Sequence, residues 1–202
     1  MDEYQLAALQ VQRKSGTEMF HEGGLQLSHQ LLDFWQWSCS DLTNNAMRGV
    51  LAEYLVALAL GLTDTPRVEW NAFDLETADG LKIEVKSAAY LQTWRQKQLS
   101  TILFQIGQTF GWDASTDISE TEQRRQADIY VFCVLKHQDK RTLDPLNMEQ
   151  WDFYVLLTSV LNEKVPTQKT MGLSTLLRLN PVKTPFDGLA AAITTVAAAG
   201  KQ

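Results

Sequence analysis

Phe73-Asp74-Leu75-Glu76-Thr77-Ala78-Asp79-Gly80-Leu81-Lys82-Ile83-Glu84-Val85-Lys86 carries alternating apolar and polar residues on both sides of Ala78-Asp79-Gly80. That is the pattern of two short strands joined by a tight turn. Alternate residues of a strand share a face, so Lys82, Glu84, Lys86 and Ala88 point one way and Leu81, Ile83, Val85 and Ser87 the other. The turn decides what Asp74 meets. A two-residue Asp79-Gly80 loop pairs Ala78 with Leu81 and sets Asp74 opposite Val85. A three-residue loop with Gly80 left-handed pairs Thr77 with Leu81 and sets Asp74 opposite Glu84. Only the second keeps Phe73 and Leu75 on the apolar side, and register follows that requirement. The sequence therefore predicts the three-residue turn.

Upstream, Ser28 or His29 is expected to open a helix through Leu31, Leu32, Phe34, Trp35 and Trp37. Thr43-Asn44-Asn45 supplies the cap of a second helix over Ala46–Leu60, with Met47, Val50, Leu51, Tyr54, Leu55 and Leu58 as its apolar stripe. Gly61, with Pro66 beyond it, ends that helix. Val68–Trp70 reads as a further short strand and Ser100–Ile106 as extended. After a loop-rich insertion, Asp128–Leu135 and Phe153–Leu157 are nearly continuous apolar runs, as expected of strands covered on both faces. Thr158–Glu163, Ser174–Arg178 and Phe186–Ala199 read as helices. The order implies an α/β protein with a central mixed sheet flanked by helices. The strand order is not readable from this pattern. Residues 1–27 form an N-terminal extension of uncertain structure, and 28–202 a single domain with its core at about 44–157 and a helical addition at 158–199.

The chain has 202 residues, 45% apolar and 21% charged, ordinary values for a globular domain. A net charge of −6 speaks against coating nucleic acid through bulk charge, though it leaves room for a local basic surface around an acidic site. Met1–Gln12 lacks the basic-then-apolar order of a secretory leader. The longest apolar helix candidate, Val50–Leu62, contains Glu53 and is too short to span a bilayer. Together with Cys39 and Cys133, read as free thiols, these features predict a cytoplasmic protein without membrane attachment. His21, His29 and His137 form no metal-ligand or nucleophile–base spacing, and no phosphate-binding glycine loop occurs. Motor or sequence-reading functions would have to come from a partner chain.

Asp74 and Glu84 side by side repel, and each needs a proton or a cation there. Hard oxygen ligands so placed suit Mg²⁺ or Mn²⁺. Lys86 on the same face is suited to orienting a water and stabilising charge on a phosphate. Spacing alone equally fits a solvated face on which Glu76, Lys82, Glu84 and Lys86 form cross-strand pairs, the commoner use of such a pattern. Lys82, Arg95 and Lys97 are candidate phosphate contacts, with Gln92 and Gln96 as polar partners of the backbone or a base. Tyr90 and Trp94 fit either base stacking or core packing. Arg124-Arg125 forms a second basic cluster, which fits a solvated loop end.

An Asp followed about ten residues later by Glu-x-Lys across a hairpin, after Gly49-Val50-Leu51-Ala52-Glu53 on a helix, resembles the PD-(D/E)XK nuclease superfamily. Phe73 stands where the pattern's name has Pro. The resemblance covers roughly Asn44–Leu157 and implies a restriction-endonuclease-like fold and metal-dependent phosphodiester hydrolysis, most readily by a DNA endonuclease or exonuclease of restriction, defence or repair type. It implies Asp74, Glu84, the main-chain carbonyl of Val85 and Glu53 as metal ligands, with Lys86 as the catalytic lysine. Nucleases that cut both strands often dimerise, so a homodimer is compatible with it. The alternative is an inactive nucleic-acid-binding or protein-interaction module on the same fold.

Overall fold

The computed structural model describes residues 8–113 and 116–201. Its first elements are an antiparallel hairpin, β1 (Met19–Glu22) and β2 (Leu25–Gln30), which runs into helix α1 (Leu31–Cys39). The N-terminal extension thus carries two strands, while its first seven residues lie outside the described part. The expected helix start at Ser28 or His29 moves to Leu31. Gln30 is its N-cap, and its backbone N–H donates to the Asp33 carboxylate at 2.7 Å, so the residues before it stay extended.

Helix α2 (Asn45–Leu60) begins where Asn44 Oδ1 accepts the Met47 N–H at 2.9 Å and ends at Gly61, whose φ of 70° suits glycine. Its buried face is Arg48, Ala52, Leu55, Val56 and Ala57, whereas Tyr54 and Leu58 are exposed. The expected stripe is therefore rotated. The helix is apolar on most of its surface, so periodicity alone under-determines the face it buries. The connector through Val68–Trp70 is turns and bends rather than a strand. It lies outside the sheet and leaves Trp70 largely in solvent.

The remaining elements are β3 (Leu75–Glu76), β4 (Lys82–Ala89), β5 (Leu103–Gln105), β6 (Thr109–Asp113), β7 (Ile118–Arg124), β8 (Ile129–Leu135), β9 (Trp151–Leu157), α3 (Thr158–Lys164), β10 (Thr170–Gly172), α4 (Leu173–Arg178), β11 (Val182–Thr184) and α5 (Leu189–Gly200). The central sheet has five strands in the order β11-β9-β8-β4-β3; β4 and β8 are parallel and the other neighbours antiparallel. This is the mixed α/β sheet expected from the sequence.

Strand periodicity sorts the core into two layers. Ile83, Val85, Ala89, Ile129, Val131, Phe153 and Val155 meet α2 and α5 on one face. Ala88, Tyr130, Phe132, Val134, Tyr154 and Leu156 meet β5, β10, α3 and α4 on the other. The C-terminal part is more than a helical addition, because β11 extends the central sheet and α5 covers one face. The loop-rich insertion in fact holds the antiparallel β6–β7 ribbon, missed because every residue of β7 is exposed and no apolar alternation marks it.

Candidate active site

Gly80 has φ 83°, Thr77 N–H donates to Leu81 O at 3.0 Å and Gly80 N–H to Thr77 O at 2.9 Å, so the turn has three residues. The ladder pairs Glu76 with Lys82 and Leu75 with Ile83. One step on, Asp74 has left the regular ladder. Its N–H donates to Ile83 O at 3.1 Å, and its Oδ2 accepts the Val85 N–H at 2.7 Å. The Asp74 carboxylate thus caps the strand edge where β3 stops. N–H and C=O of one strand residue face the same neighbour. The Val85 carbonyl therefore points to this same edge, beyond the last paired residue of β3.

Glu84 and Lys86 lie on the face that carries Tyr130 and Phe132, their register partners on β8. Both are half-buried, and Lys86 Nζ donates to Glu84 Oε1. Burial pushes the Asp74 carboxyl up to about 7, helped by Glu84 and, more weakly, Glu53; the Val85 N–H bond and Lys86 work against it. A half-buried carboxylate raised by its acidic neighbour is chemically suited to a cation. Among the described residues, however, no three His, Cys, Asp or Glu side chains converge as a ready metal-binding group. The oxygen donors that could hold a hard divalent ion here are the two carboxylates and the Val85 carbonyl.

Glu53 reaches Asp74 from another side. Its helix packs on the sheet face opposite Glu84, and its carboxylate forms a bidentate pair with Arg67. Arg67 comes from the connector after α2, and the sequence pattern assigns it no role. The hydrogen bond that Arg67 donates to Glu53, with further help from the charges of Glu53, Asp74 and Glu69, raises its guanidinium above the ordinary value. Glu53, Arg67 and Asp74 line one cavity of about 460 Å³.

The four expected nucleic-acid contacts fall in different places. Lys82 is half-buried with its ammonium 5.1 Å from the centre of the Phe73 ring, lining a second cavity of about 550 Å³ with Asn71, Trp112 and Arg124. Arg95 and Lys97 are exposed on the loop after β4. That loop begins ~17 Å along the strand from Glu84 at ~3.3 Å per residue. Gln92 is buried instead; it donates to Ala89 O and Ser100 Oγ and accepts from Arg48 Nη1. It braces the turn after β4 and has no amide left for a base. Gln96 is similarly spent on Tyr90 O and Ser100 Oγ. Tyr90 packs on the core, whereas Trp94 is exposed.

The second basic cluster divides. Arg124 pairs with Glu120, while Arg125 is buried and donates to Ile106 O, Asn162 Oδ1 and Val165 O. Arg125 is therefore a structural tie and not a solvated loop end. Arg48, also missed, donates to Ser87 Oγ, Thr43 O and Asn45 Oδ1 and pins α2 to β4. An arginine in phase with Ala52 and Leu55 was the available signal for it.

Among the described residues no helix is long and apolar enough to cross a membrane. The sequence profile of the family described as "Bacteriophage T4 endonuclease IV" matches residues 28–175, well over half of the chain and including every residue named for the site. No curated protein matches the chain.

Proposed function

The chain belongs to the bacteriophage T4 endonuclease IV family, and from that premise we propose that it hydrolyses phosphodiester bonds within DNA, using a site of the PD-(D/E)XK kind. The observation that carries the reading is the placement of the Asp74 carboxylate against the Val85 N–H, beside Glu84 and Lys86 at an open strand edge. A purely structural hairpin gains little from holding two carboxylates there, one of them raised by burial and by the other.

Asp74, Glu84 and the Val85 carbonyl would hold Mg²⁺ or Mn²⁺. Such an ion supplies an acidified water and neutralises charge on the phosphate. The residues of the chain do the remaining work. Lys86 exchanges its Glu84 partner for the attacking water and the charge that grows on the phosphate oxygens. The Asp74 bond to Val85 fixes the distance between the two strands and so the spacing of the ligands. Water adds to phosphorus and gives up one proton to solvent, the bond to the leaving sugar oxygen breaks, and that oxygen takes up a proton from solvent. Lys82 beside the site, with Arg95 and Lys97 farther along, would contact backbone phosphates. We further read the protein as cytoplasmic, working as a homodimer where both strands of a duplex are cut, with specificity or motor activity supplied by a partner chain.

The test is cleavage of mixed DNA substrates in Mg²⁺ or Mn²⁺. Activity lost on chelation and lost in Lys86→Ala, with the fold intact, supports the reading. Metal uptake and DNA binding without any cleavage would instead favour an inactive binding module.

A further inference from the structure

Resting on the nuclease reading above, the geometry points to Arg67 as a second phosphate-binding cation of this site, aimed by Glu53, which acts as a positioning residue and not as a metal ligand. Glu53 takes Nε and Nη2 of the guanidinium, leaving Nη1 without a partner among the described residues. Arginine keeps its charge at any working pH and presents donors in a planar fork that fits phosphate oxygens. Holding that fork in advance spares the cost of ordering a long side chain when substrate arrives.

The location supports a substrate role. Arg67 and Asp74 face the same cavity of about 460 Å³, a size that accommodates a nucleotide unit, and its walls include the apolar Val50, Ala57 and Val68. Lys86 lies on the other sheet face, paired with Glu84. The two cations therefore flank Asp74 from opposite sides, Lys86 for the phosphate that is cut and Arg67 for a neighbouring one along the strand. If the pair were only a brace, it would clamp the connector after α2 to the helix and have no bearing on the charge read by substrate.

Counterion release separates the two roles. A labelled mixed-sequence oligonucleotide, single-stranded and duplex, is titrated with the full chain in Ca²⁺ across a range of salt concentrations. Removing one phosphate contact lowers the slope of log affinity against log salt by about 0.9 on duplex and about 0.7 on single strands. Arg67→Gln is expected to show that change and weaker binding. Arg67→Lys should keep the wild-type slope with reduced affinity, which guards against misreading a folding defect. Glu53→Gln should weaken binding with the slope intact, and the double variant should be no worse than Arg67→Gln alone. Lys183→Gln, on the strand at the far edge of the sheet, is the control and should leave the slope unchanged. An Arg67→Gln protein with the wild-type slope and affinity, changed only in thermal stability, overturns the inference and leaves the nuclease reading standing. A wild type that neither binds nor cuts removes both.

Discussion

Asp74 is the residue on which the proposed chemistry turns, and its environment gives a test independent of activity. Its carboxyl titrates near 7 in the folded chain against an ordinary value of 3.8, raised by burial and by Glu84. Because the folded value lies above the unfolded one, the folded state holds more protons between them. The stabilisation is fully present below about 3.8 and is lost as pH rises through about 7. Chelator-treated protein should therefore unfold at a lower temperature at pH 8 than at pH 5, after allowance for the other groups. Asp74→Asn should flatten that dependence. Divalent metal should raise the melting point at pH 8 in the wild type and not in Asp74→Asn, since a ligand bound only by the folded state stabilises it. For Lys86, replacement by alanine should lower the cleavage rate by at least ~100-fold, the scale of losing one preorganised charge partner, with an unchanged circular dichroism spectrum. The pairing of Glu53 with Arg67 was not legible in the sequence. The two residues lie 14 apart and meet only because the connector folds back on α2.

At the scale of elements, the hairpin was legible because a single turn length satisfies every apolar residue, and the structure has that turn. Gly80 makes the point testable. No atom stands within 4 Å of where its Cβ would be, so Gly80→Ala should cost only the backbone strain of φ 83°, about 1–2 kcal/mol in denaturant unfolding. If the turn also sets the position of Asp74, cleavage should fall by more than that loss of stability explains. The β8 and β9 strands were readable because they are buried on both faces and correspondingly apolar. Helix α2 was readable in its limits and not in its orientation. Asn44 and Gly61 are strong local signals, but an almost uniformly apolar helix names no preferred face. Asn44→Ala should destabilise by about 1 kcal/mol. The β6–β7 ribbon left no trace of alternation because neither face of β7 is covered. Its contact with the body through Trp112 against Trp70, ring centroids 6.2 Å apart, depends on a connector whose path no local rule gives.

For the whole molecule, the mixed sheet places the catalytic candidates at one edge and one turn, while the bulk of the core lies on β8, β9 and the helices beyond them. Stability and chemistry can thus be separated by mutation. Arg125, which has no role in the proposed chemistry, ties Ile106 before β6 to the carbonyl of Val165 and to Asn162. Arg125→Ala should cost about 3 kcal/mol or more, because it leaves buried carbonyls without a donor. Its residual activity per folded molecule should stay near wild type. The fold class was legible from the succession of apolar runs; the strand order was not, because adjacency of β4 and β8 is a long-range pairing across the insertion. The central claim, a metal-dependent endonuclease built on Asp74, Glu84 and Lys86, is tested most directly on closed circular DNA, single-stranded and duplex, incubated with the full chain in Mg²⁺ or Mn²⁺. The account predicts that circles are opened, that chelation stops the reaction, and that folded Asp74→Asn, Glu84→Gln and Lys86→Ala proteins leave them closed. Circles opened equally well by those three variants, or left intact by the wild type with either metal, would contradict it.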